Sequence, residues 1–205
     1  MGPVQRGRMR ATCLGSALIR RVFVLRGLVL ATMALSAACT GGPQAQVPEQ
    51  AETSLSVSSA AFGEGQSIPS KHTCDGENLS PPLGWTEPPS GTQAFALVME
   101  DLDTPQKAFT HWVVFNLPAE SRALPEGVSS DSTLPTGASH GNNQLEKAAY
   151  FGPCPSMGPP HRYRFTLYAL DSPLDLETGA SKAQLMEAMD GHVLAEAQVT
   201  GLYQG

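Results

Sequence analysis

"GPCPSMGPPHRYRFTLYALD", Gly152–Asp171, sets two kinds of chain end to end. Its first nine residues hold four prolines and two glycines. Pro fixes φ and Gly admits conformations closed to other residues, so a loop this rich in both keeps one shape. From Tyr163 the pattern becomes alternation. Tyr163, Phe165, Leu167 and Ala169 fall on one face of a strand, and Arg164, Thr166 and Tyr168 on the other. A period-two run entered from a rigid loop points to a β-built domain. The loop itself is either a tight connection or the wall of a binding site from which His161, Arg162 and Tyr163 emerge.

The surrounding sequence extends the β reading. "QAFALVME" (Gln93–Glu100) is nearly continuous in apolar residues, as in a strand buried on both faces. "THWVVFNL" (Thr110–Leu117) is rich in β-branched and aromatic residues. Near the end, "HVLAEAQVTGLY" puts Val193, Ala195, Ala197 and Val199 on one face. One helix is legible. Ser181 with Gln184 fits a capping box, Leu185, Met186 and Met189 make an apolar stripe, and Gly191 supplies a stop. With 20 Gly and 17 Pro in 205 residues, turns are plentiful. The fold expected is mainly β: an antiparallel sandwich of two sheets with one or two short helices.

The charge is divided unevenly. Six arginines and no acidic residue precede Cys39; from Cys39 onward 7 Lys+Arg face 19 Asp+Glu, a net charge of 7 − 19 = −12. An acidic domain repels nucleic acid, so no nucleic-acid partner is expected. The basic start, the apolar run "GLVLATMALSAAC" (Gly27–Cys39) and its small-residue end have the three parts of an export signal, expected over 1–38. "LSAAC" resembles the bacterial lipobox, with Cys39 as the lipidated residue. The polar, Pro- and Gly-containing stretch 39–54 then reads as a flexible tether, and the folded domain as 55–205. The expected location is the bacterial cell envelope, anchored to the membrane through lipid, with a soluble periplasmic or secreted protein as the alternative.

Candidate chemistry lies in three places. "EDLDTP" carries Glu100, Asp101 and Asp103, and the equal parity of the two aspartates lets both face one side of an extended chain. The plain alternative is a solvated acidic turn. "THW" puts His111 at a strand start, and "PHRY" puts His161 and Tyr163 on one side of the next. No HExxH, Cys-rich metal spacing or GxSxG elbow is present.

Taken in order, "HTCDGENLSPPLGW" (His72–Trp85), "DLDTP", "HWVVFNLP" and the opening stretch resemble the phosphatidylethanolamine-binding protein family, in its bacterial Raf kinase inhibitor-like branch. The likeness runs from about Leu55 to Tyr203. It implies a two-sheet sandwich with a small pocket at one end for phosphate or a phospholipid head group. Carried over, Asp101, Asp103, His111, Gly152, Pro153, His161 and Tyr163 line that pocket, and the proline-rich loop is its wall. The imidazoles, the Tyr163 hydroxyl and amides of the glycine loop are expected to donate to the anion. A carboxylate beside a histidine makes affinity depend on pH. Leu102 stands where the family usually has Pro, which is expected to loosen that turn, and Ser156 where a second Pro often follows. The chain stops at Gly205 without the C-terminal helix that partly covers the pocket in animal members, so a more open pocket is expected. The likeness also brings the loops of Cys74 and Cys154 together, making these two a disulfide candidate in an oxidising compartment.

The function expected is therefore a non-enzymatic binding module, possessing no cofactor and taking a small anionic ligand. The alternatives are a hydrolase-like or metal-dependent enzyme using the His/Asp pocket, and a protease or kinase inhibitor acting by protein–protein contact.

Overall fold

The computed structural model describes residues 54–128, 134 and 137–205. The expected signal, Cys39 and nearly all of the tether lie outside them. Among the described residues no helix is long and apolar enough to cross a membrane.

The architecture is mainly β, as the alternation predicts. A five-stranded antiparallel sheet has the order β6 (Ser139–Gly141), β4 (Phe109–Pro118), β3 (Ala94–Asp101), β7 (His161–Leu170), β8 (Val193–Tyr203). A three-stranded sheet, β1 (Val57–Ser59), β2 (Leu83–Trp85) and β5 (Ala123–Leu124), packs over one face. Between the sheets lie Phe95, Leu97, Met99, Trp112, Phe165 and Leu167, all buried. The opposite face carries Ala96, Val98, Val113 and Phe115, covered by Leu174, Leu185 and Met189. A central strand covered on both sides has no polar face to show, which is why all eight residues of β3 are buried.

The helix α1 (Lys182–Ala188) begins with the expected capping box: the Gln184 amide donates to the Ser181 side chain, and the Gln184 side chain accepts from the Ser181 amide. Gly191 follows at φ +79°, the left-handed conformation that stops the chain. The apolar stripe is narrower than the sequence suggests. Leu185 and Met189 are buried, whereas Met186 is exposed. Val193 is likewise exposed, and it does not share a face with Ala195, Ala197 and Val199 as the alternation predicts: a register shift in the β7–β8 pairing sets it opposite Leu170, on the helix face.

Two irregularities aim side chains. In β4, Met99 pairs with Trp112 and Glu100 with Thr110, leaving His111 as an extra residue. Such a bulge turns two successive side chains to one side. His111 therefore joins Trp112 on the sandwich face, while Thr110 keeps to the helix face. Further along, Asn116 adopts φ 57° and binds both backbone groups of Leu174 through its carboxamide.

Candidate functional site

Three strand ends meet at one end of the sandwich. The β3–β7 register sets Asp101 opposite Tyr163 and Glu100 opposite Arg164. Each carboxylate of "EDLD" thereby finds a basic side chain on β7. Asp101 Oδ2 accepts from His161 Nδ1 at 2.7 Å. Glu100 pairs with Arg164, at 3.8 Å, and with Lys182. Asp103 accepts from the Arg162 amide at 2.8 Å and from its guanidinium at 2.6 and 2.9 Å.

Shared parity therefore does not bring the two aspartates together. Asp101 is buried and faces the end of the sandwich where His111 and His161 lie. Asp103 sits half-buried at the rim, occupied by Arg162, whose guanidinium holds its carboxyl down to about 2. Nor is this an acidic turn in water. The Asp103 amide donates back to Asp101 Oδ1 at 2.9 Å, which orients the inner carboxylate. Leu102 does not loosen the turn either: its N–H donates to the Arg162 carbonyl at 2.9 Å, a bond that proline cannot make.

The two histidines are held alike. His161 gives Nδ1 to Asp101. His111 gives Nδ1 to the Phe151 carbonyl at 2.7 Å and stacks on the Phe151 ring, with centroids 5.4 Å apart and planes 6° apart. In each ring the fixed Nδ1–H leaves Nε2 as the second polar atom. Burial lowers the His111 pKa, against the raising pull of the Phe151 carbonyl and the Asp101 charge. His111 is thus neutral near pH 7. Tyr163 stands between them, its ring 5.2 Å from His111 and 6.5 Å from His161. Its hydroxyl is fully buried and makes no hydrogen bond of good geometry; burial first, then the neighbouring Asp101 carboxylate, raises its pKa. Asp101, His111, His161 and Tyr163 are therefore one cluster.

Gly152 and Pro153 serve that cluster indirectly. Both are buried. The Gly152 amide donates to Asn78 Oδ1 at 2.8 Å, so it is not offered to a ligand as the glycine-loop reading expects. The Pro153 carbonyl accepts from the Cys74 amide at 3.0 Å, and the Tyr150 hydroxyl donates to the His72 carbonyl at 2.6 Å. Cys74 and Cys154 stand at disulfide distance, with Cα atoms 5.4 Å apart. A side chain at 152 would meet the His72 carbonyl at 2.4 Å, so only glycine lets the two loops close. The proline-rich loop is thus fastened along its start to residues 72–78.

Asn78, Phe109 and Phe151 belong to this site but were not among the residues singled out by sequence. Asn78 takes φ 57°, tolerable for Asn, and its place in "DGEN" is the one signal that could have revealed it. Among the described residues no group of three His, Cys, Asp or Glu is arranged to hold a metal ion.

Comparison with known proteins agrees with the fold. Residues 58–204 match the family model described as phosphatidylethanolamine-binding protein. A UPF0098 protein of Methanothermobacter thermautotrophicus is 49% identical over 150 residues, covering 73% of this chain and 99% of its own length. A UPF0098 protein of Aquifex aeolicus is 40% identical over 152 residues, covering 73% and 88%. Neither name denotes an enzyme. Among solved structures, Escherichia coli YbcL, titled a new member of the mammalian PEBP family, superposes with TM-score 0.69 at 33% identity, covering 74% of this chain and 98% of its own. The putative phosphatidylethanolamine-binding protein homolog CT736 of Chlamydia trachomatis gives 0.68 at 37% identity, with the same coverage. With the two-sheet sandwich, the ordered motifs and these matches in agreement, the chain belongs to the phosphatidylethanolamine-binding protein family.

Proposed function

We propose that this protein is a non-enzymatic binder of a small anion, phosphate or a phosphorylated head group, held at the Asp101–His111–His161–Tyr163 cluster with Gly152 and Pro153 behind it and Asp103 at its rim. The observation that carries this reading is the pair of imidazoles. Each has Nδ1 committed to a fixed acceptor, which leaves Nε2 to meet a ligand oxygen. A neutral Nε2 accepts from a protonated phosphate oxygen; a charged imidazole donates to an ionised one. Asp101 holds His161 in place, and its own charge disfavours an anion unless a neighbouring imidazole is protonated.

Calorimetry with inorganic phosphate and phosphoethanolamine tests this. Dissociation constants in the high micromolar to millimolar range, about 4–6 kcal/mol, are expected for a small open site. His161→Ala abolishes the heat if the reading is right; unchanged binding in that variant moves the ligand elsewhere.

The protein is further proposed to act at the bacterial cell envelope, anchored through lipid on Cys39 beyond the tether. Support comes from the basic start, apolar run and small-residue end before Cys39. Detergent-phase partitioning that Cys39→Ser abolishes is the expected result. Identical partitioning of the two forms excludes the anchor.

A further inference from the structure

The strands that build the pocket have a second face, and a cleft opens there. It lies between the start of α1, the 142–146 turn and the residues leading into β4, and has a volume of about 710 Å³. That is ample for a small organic solute, for which about 300–1,000 Å³ is usual. Its lining is unlike a lipid or aromatic site. Ala108 and Ala183 are its only apolar side chains; the rest are polar or charged, and no ring is present.

Several of these polar groups have no partner. Thr110 is buried, with 5% relative exposure, and lines the cleft, yet its hydroxyl makes no hydrogen bond with a described residue. The bulge at His111 is what keeps Thr110 on this side, opposite Glu100. The Asn142 side chain on the wall makes no hydrogen bond with a described residue, while its backbone amide donates to the Ala180 carbonyl. Lys107 and Glu146 are exposed at the cleft and form no ion pair with any described residue. Lys182 also lines it, already paired with Glu100 behind.

Lys182 is already matched by Glu100, which lies outside the lining and also pairs with Arg164. The charges left at the cleft are one ammonium, Lys107, and one carboxylate, Glu146. A simple anion meets as much repulsion as attraction there, and so does a simple cation. A molecule bearing both charges does not: its carboxylate meets Lys107 and its ammonium Glu146, while main-chain amides between them suit the carboxamide and the hydroxyl, which both accept and donate. We infer that this cleft is a second ligand site, for a zwitterionic, hydrogen-bond-rich solute of the class of a short polar peptide. It stands independently of the anion pocket.

The experiment is a titration of the full-length protein followed by amide chemical shifts, with glycylglycine, its N-acetylated and C-amidated analogue, and inorganic phosphate as probes. Glycylglycine is expected to saturate, moving the amides of Thr110, Asn142, Glu146 and Lys182. Thr110→Val is nearly isosteric and is expected to weaken binding by at least about tenfold, a change easily separated from scatter. Should Thr110→Val perturb folding, Lys107→Ala and Glu146→Ala alter exposed side chains only, and each is expected to weaken glycylglycine while leaving the response to phosphate unchanged. The inference is overturned if glycylglycine moves none of these amides, if the uncharged analogue binds equally well, or if phosphate displaces glycylglycine from the cleft.

Discussion

Gly152 shows how much one residue decides at this site. A methyl group there meets the His72 carbonyl at 2.4 Å and Asn78 Oδ1 at 2.8 Å. Gly152→Ala is expected to cost about 1–3 kcal/mol, the usual range for forcing atoms into a filled space, read as a lower urea midpoint with an unchanged slope. Asn78→Ala, which strands the buried Gly152 amide, should cost a similar amount, about 1–3 kcal/mol. His111 has a pH signature. Its folded pKa lies below its ordinary value, so the unfolded chain takes up the proton first, at about pH 6.5. Stability is therefore full above that value and falls as pH drops towards the folded pKa. Bound anion acts in the opposite sense, because it favours the charged imidazole. Phosphate affinity is thus expected to rise from pH 8 to pH 6 in calorimetry, and His111→Gln should flatten the rise. Residue identity at the cluster was open to sequence reading because Asp101, His111, His161 and Tyr163 sit in ordered motifs. The fate of Asp103 was not. Parity along an extended chain says nothing of a cation on the neighbouring strand, and Arg162 captured the second aspartate.

Elements differ in how plainly sequence announces them. β3, β4 and β7 are long, and either continuously apolar or alternating, and each was legible to within two residues at either end. β1, β2, β5 and β6 have two or three residues each, too few for any periodicity to register. The helix was legible from its cap rather than its stripe, and the cap carries a prediction. Ser181→Ala should destabilise by about 1 kcal/mol, measured by thermal unfolding. That change is also expected to weaken glycylglycine, since Ser181 itself lines the cleft. The bulge in β4 was not readable. An added residue betrays itself only through what pairs opposite it, and that information lies in β3.

Over the whole molecule, the staple between Cys74 and Cys154 closes a segment with a sequence separation of 80. Loop entropy assigns such a closure about 4–5 kcal/mol. Cys74→Ala with Cys154→Ala is expected to lower stability by up to that amount in denaturant unfolding. Phosphate affinity should fall with it, because the wall behind His111 loses its tie. Thiol titration of denatured, unreduced protein carrying Cys39→Ser should find neither Cys74 nor Cys154 free. The same geometry governs the order in which the molecule comes into being. During synthesis Asn78 appears first, then Asp101 and His111, and only some forty residues after His111 do the loop and the histidine that complete the site. No amino-terminal fragment ending before β7 contains an assembled site, however well its first strands pair. Under the proposed anion-binding function, a growing chain is therefore expected to stay blind to phosphate until it is nearly finished, with recognition switching on late, once its two distant loops meet.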